Sequence, residues 1–152
     1  MSAEQRAEAL FIDFPVPPEP AAGVVHAKLA GKVLYVSGAL PFAEGRMQGK
    51  GRVGLELTVD QGRAAARLAM IQALAMARSA VSSLDKIKQV VHVTAYVAAG
   101  TEFQDHAKVI EPASQLLREL FGIAGDHART VVGVSTLPAG ACVALSLIFE
   151  IK

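Results

Sequence analysis

Lys88-Gln89-Val90-Val91-His92-Val93-Thr94-Ala95-Tyr96-Val97-Ala98 decides the fold. A β-rich run with side chains alternating every second residue is a strand that presents two faces. Val91, Val93, Ala95 and Val97 fall on one face and require an apolar layer against them. Lys88, Val90, His92, Thr94 and Tyr96 fall on the other, which is neither plainly solvent nor plainly core. A mixed face of that kind suits contact with another subunit.

The apolar layer lies on either side of this strand in sequence. Thr58-Val59-Asp60-Gln61 is a capping box and opens a helix predicted over about Val59 to Ser82. Met70, Leu74, Ala77 and Val81 form one apolar stripe on it; Ala64, Leu68, Ile71 and Ala75 form a second, so the helix is buried over a wide arc. Phe103 to Phe121 is helical in pattern but contains Pro112, which removes an amide donor. The expectation is a short turn at 102–108 and a main helix from about Glu111, with Pro112 in its first turn and Gly122 ending it. Thr130–Ser135 and Cys142–Ile151 read as the last two strands, joined by Leu137-Pro138-Ala139-Gly140.

Upstream, Val24–Leu29 and Lys32–Ser37 read as a hairpin turning at Ala30-Gly31. Residues 43–57 are glycine-rich and read as a loop with at most one short strand. Ser2–Leu10 reads as a helix begun by a Ser-x-x-Gln box. Phe14-Pro15-Val16-Pro17-Pro18-Glu19-Pro20 must be an extended surface connector. The order ββ(β)αβαββ, with short hairpin links, predicts an α+β two-layer sandwich. Its sheet is mixed and mostly antiparallel, with two helices on one face. The other face is bare in a monomer, and another copy is its simplest cover.

Composition narrows the function. One domain spans 1–152, with 1–22 as an N-terminal extension. Fifteen basic residues against fourteen acidic give no electrostatic reason to bind nucleic acid or anionic lipid. Six phenylalanines, two tyrosines and no tryptophan provide few stacking platforms for RNA. A hydrophobic fraction of 52%, rich in alanine and valine, suits an oligomer. No signal sequence or membrane span is expected, and the single Cys142 fits a reducing cytoplasm.

Few residues offer chemistry. On the strand after Asp126-His127-Ala128, Arg129, Val131, Gly133 and Ser135 share a face. A guanidinium among small and apolar neighbours wants a carboxylate; a surface arginine paired with a nearby acid is the plainer reading. His127 fits either proton transfer beside Arg129 or a solvated loop position. His26, His92 and His106 show no metal-ligand spacing, with each other or with Cys142. Cys142 reads as a buried, inert thiol. No phosphate-loop or dinucleotide glycine pattern is present.

These residues have a family likeness. Val36-Ser37-Gly38-Ala39-Leu40-Pro41 resembles the Ser-Gly-Gln-Leu/Ile-Pro strand end of the RidA/YjgF (endoribonuclease L-PSP-like) family of imine deaminases. Gly125-Asp126-His127-Ala128-Arg129-Thr130-Val131-Val132-Gly133-Val134, followed by Leu137-Pro138, resembles the Gly-Arg-His-Ala-Arg-Ser-Ala-Val-Gly-Val…Leu-Pro of its long RidA-like subgroup. Lys108-Val109-Ile110-Glu111-Pro112-Ala113-Ser114 resembles that subgroup's Lys-Val-Ala-Asn-Gly-Ala-Ser.

The resemblance implies a chorismate-mutase-like fold and a homotrimer whose sheets form a barrel-like core, with clefts between subunits. It also implies hydrolysis of amino-acid-derived enamines or imines to keto acid and ammonia, with neither metal nor organic cofactor. Carried over residue by residue, Arg129 clamps the substrate carboxylate, and Val24, Gly38, Ala39, Val131 and Ala144 fall in the ligand cleft. The chain departs from the family there. The last-strand glutamate falls on Ala144, a cleft tyrosine on Val24, a glutamine on Ala39 and a helix-start asparagine on Glu111. Glu111 could return a carboxylate to catalysis or could neutralise Arg129. Two functions stay open: a deaminase with a shifted acid/base, and a module that binds a small carboxylate without turnover.

Overall fold

A computed structural model describes all residues, 1–152. In chain order the elements are α1 (Ala3–Ala9), β1 (Ala27–Ala30), β2 (Val33–Ala39), β3 (Phe42–Ala43), β4 (Arg46–Met47), α2 (Val59–Val81), β5 (Ile87–Ala98), α3 (His106–Phe121), β6 (Ala128–Val134) and β7 (Val143–Ile151). Five strands make one sheet in the order β1-β2-β7-β5-β6, and β3-β4 is a separate small hairpin. All pairs in the large sheet are antiparallel except β5-β6, which is parallel. A parallel pair needs a crossover, and α3 supplies it. The α+β two-layer architecture expected from the sequence is present.

The caps form as the sequence predicts: Ser2 with Gln5 opens α1, and Thr58 with Gln61 opens α2. Leu34 and Val36 of β2, Val93, Ala95 and Val97 of β5, and Leu145, Leu147 and Phe149 of β7 face the helices and are buried. Met70, Leu74 and Ala77 of α2 and Leu116, Leu117 and Leu120 of α3 close the same core of 34 residues. On α2 the second stripe is only half realised, because Ala64 is exposed and Leu68 half-buried while Ile71 and Ala75 are buried. No helix is long and apolar enough to cross a membrane.

Several expectations are corrected. The β1-β2 turn is Gly31-Lys32, one residue later than read, with Ala30 opposite Val33 and φ of 62° at Gly31. The 43–57 segment begins with a true hairpin about Glu44-Gly45, both at positive φ (53° and 73°), as a tight primed turn demands. On β5 the register with β7 slips between Val90 and His92. This bulge turns Val90 into the core and leaves Val91 41% exposed, reversing the expected sides of both. The last two strands do not pair, since β7 inserts between β2 and β5 and leaves β6 at the edge.

Helix α3 begins at His106, so Pro112 sits inside it and not in its first turn. Proline leaves the carbonyl of Lys108, four residues back, without its helical donor. Arg63 of α2 reaches across and donates Nη1–H to that carbonyl. A side chain from the neighbouring helix thus satisfies the acceptor that the proline orphans, and α3 continues through it.

One core residue is out of character. Gln72 of α2 is fully buried and neither its amide nitrogen nor its oxygen has a partner. An unsatisfied buried amide costs about 1–3 kcal/mol. Gln72→Met keeps the unbranched shape and removes both polar atoms. Thermal unfolding followed by circular dichroism should show the melting temperature raised by about 5 °C; an unchanged or lower value would mean the amide is satisfied.

Candidate functional site

Where α3 ends, Gly122 terminates it and a 3-10 turn over Gly122–Gly125 brings the chain back beneath the helix. Gly125 lies so close that a Cβ there would stand 2.3 Å from the Leu117 carbonyl oxygen. That approach places His127 under α3 and starts β6 beside it. In parallel register Arg129 lies opposite Val93, and Val131 opposite Ala95, so both are on the helix side of the sheet. Val131 packs against the core, while Gly133 lies under the His106 ring, whose Nε2 would stand 2.3 Å from a Cβ there. The shared face of Arg129, Val131 and Gly133 read from the sequence is the one observed.

Three side chains converge at this edge. His127 Nδ1 is 2.7 Å from the carbonyl oxygen of Gly125, and its Nε2 is 2.9 Å from Ser114 Oγ of α3. Arg129 Nη1 donates to the same Oγ at 3.2 Å. The carbonyl can only accept, so the ring proton belongs on Nδ1; Nε2 then accepts the serine hydroxyl. Around them is an open groove of about 430 Å³ that Gln115, Arg118 and Asp126 also line, with no hydrophobic residue among its walls. Arg118 is occupied by Asp126 at 3.1 Å, whereas Arg129 takes part in none of the five ion pairs. The groove therefore presents a guanidinium whose charge no carboxylate of the chain answers.

The other sequence candidates lie elsewhere. Glu111, one turn before Ser114, meets Arg63 at 3.6 Å. Ala144 pairs with Tyr96 and is half-buried on the bare face of the sheet, opposite to Arg129. Gly38 is exposed at positive φ beside a register break in β2, Ala39 points into the core, and Val24 is exposed ahead of β1. Two strands, β7 and β5, separate β2 from β6, a span of roughly 14 Å at ordinary strand spacing. One chain does not bring these residues to Arg129. Ser114 was missed as a site residue because 13 positions separate it from His127 and nothing local links them.

The Arg52 hydrogen bond holds the Glu56 carboxyl below its usual range. Burial pushes the Cys142 thiol up to about 11, so it is protonated and unreactive at neutral pH.

Comparison with known proteins agrees with this architecture. Residues 17–151 match the model of the YjgF/chorismate mutase-like family, whose description carries a provisional endoribonuclease activity. Protein TCP17 of Trypanosoma cruzi is 35% identical over 95% of this chain and 91% of its own length. The crystal structure of Atu1372 from Agrobacterium tumefaciens, described as of unknown function, is 35% identical with a TM-score of 0.92, covering 99% of this chain and 92% of that one. A Shewanella oneidensis protein, provisionally described as an endoribonuclease, superposes with a TM-score of 0.95 at 28% identity over 99% of this chain and 100% of that one. With the sheet order, the Arg129 edge and these likenesses together, the chain belongs to the RidA/YjgF family.

Proposed function

We propose that this protein is a RidA-like hydrolase of small enamine and imine derivatives of amino acids, releasing keto acid and ammonia. The observation that carries the reading is Arg129, a guanidinium with no carboxylate partner in the chain, lining an open groove. A substrate carboxylate supplies the charge the chain withholds, and the guanidinium fork fixes its orientation. Water then adds to the C=N carbon and ammonia leaves.

The working unit in this reading is a homotrimer with its clefts between subunits. Two features support it. The sheet face opposite the helices is bare, with Tyr35 and Val132 exposed beside Thr94, Tyr96 and Ser146. Of the family's remaining cleft positions, Gly38 and Ala39 are on β2, three strands from Arg129, and Val24 precedes β1 at the far edge, so a second copy is the route that brings them near it. One buried thiol and no disulfide suit a cytoplasmic home.

A second reading, binding of a small carboxylate without turnover, draws on the same geometry. Glu111 is engaged by Arg63, and Ala144 carries no acid, so neither obvious carboxylate is free to orient water. Generating 2-aminoacrylate in situ and following pyruvate and ammonia decides between the two. Release well above the protein-free rate is expected; release at that rate would leave only the binding reading. Sedimentation velocity should give a single species at three times 15.9 kDa, and a monomer would remove the shared cleft.

A further inference from the structure

We propose that Ser114 is a nucleophile, activated by His127, for acyl transfer from small esters that carry a carboxylate. This goes beyond imine hydrolysis, which needs no covalent acyl intermediate, though it rests on the same anion-binding groove.

The geometry has three parts. The Gly125 carbonyl fixes the proton on His127 Nδ1 and leaves the Nε2 lone pair facing Ser114 Oγ at 2.9 Å. This is the arrangement of a serine, its general base, and a third group that orients the base. Arg129 also donates to this oxygen, at 3.2 Å, so the developing alkoxide is met by a cation. The oxygen is also reachable, because Ser114 and His127 are only half-buried and both line the open groove. The remaining Arg129 N–H groups and the Gln115 amide border that groove and can hold a carboxylate and a carbonyl oxygen.

The reaction balances without a cofactor. Ser114 Oγ attacks the acyl carbon as Nε2 takes its proton. The ester C–O bond breaks as Nε2–H returns that proton to the leaving alkoxide, releasing the alcohol. Water, deprotonated by Nε2, attacks the acyl-serine, and Oγ departs with the proton. Ester plus water becomes acid plus alcohol.

The test treats the full chain with an alkyl fluorophosphonate and maps the adduct by peptide mass spectrometry. The adduct is expected on Ser114, with labelling about 100-fold slower in His127→Gln, the usual worth of a general base. No adduct, an adduct on another residue, or equal labelling in His127→Gln would overturn the proposal. Mapping is done on the wild type, so it does not depend on a Ser114 variant folding. In turnover, 4-nitrophenyl hemisuccinate should be cleaved faster than the uncharged 4-nitrophenyl butyrate, a preference lost in Arg129→Ala. Labelling without 2-aminoacrylate turnover would sink only the deaminase reading, and turnover without labelling only this one.

Discussion

Gly125→Ala is expected to lower the melting temperature by about 10 °C. The added methyl would stand 2.3 Å from the Leu117 carbonyl oxygen, 2.6 Å from its carbon and 3.0 Å from the Arg118 nitrogen. All three are backbone atoms in the last turns of α3, so no rotamer change makes room. Overpacking in a filled core costs about 1–3 kcal/mol, and a rigid obstacle puts this site at the upper end. In a chain of this length each kcal/mol is worth about 2–4 °C. The Gly125 carbonyl also orients His127, so relief of the clash must move the imidazole away from Ser114. The variant should lose stability and the Ser114 environment together, measured by thermal melting and by the imidazole shifts in NMR. A melting temperature within 2 °C of wild type, at the resolution of about 1 kcal/mol, would show that the turn has room.

Arg129→Ala is expected to weaken binding of pyruvate, the keto acid of the proposed reaction, by about 100-fold in titration calorimetry. Hydrogen bonds to charged groups contribute about 1.5–3 kcal/mol each, and no other cation of the groove is free, since Arg118 faces Asp126. Arg129→Lys should recover only part of the loss, because an ammonium cannot form the paired bonds of the guanidinium fork. Equal affinity in wild type and alanine variant would remove Arg129 from the site, and with it the proposed function.

What could be read from the sequence divides along physical lines. Local chemistry was legible. Capping boxes at Ser2 and Thr58, the stop at Gly122 and the alternation that puts Arg129, Val131 and Gly133 on one face all act within a few residues. Features set by distant partners were not. The bulge near Val91 depends on pairing with β7, more than 50 residues later along the chain, where Val90 meets Phe149 and His92 meets Ile148. The insertion of β7 between β2 and β5 leaves no trace in its own pattern. Pro112 looked incompatible with a helix interior because the donor that rescues it lies on α2. At the site the arginine was visible, as its charge is odd among small neighbours, but its alliance with Ser114 and His127 exists only once α3 folds over β6. Gln72 was hidden for the opposite reason: it interrupts an apolar helix quietly, and only burial shows that its amide is alone.

The reach of Arg63 to the Lys108 carbonyl couples what positions 63 and 112 can tolerate. While residue 112 is proline, the oxygen has no helical donor and the arginine supplies one. Should 112 become any residue with an amide hydrogen, α3 heals itself and Arg63 keeps only its pairing with Glu111. An arginine at 63 therefore lowers the cost of a proline at 112, and an amide at 112 lowers the cost of losing the arginine.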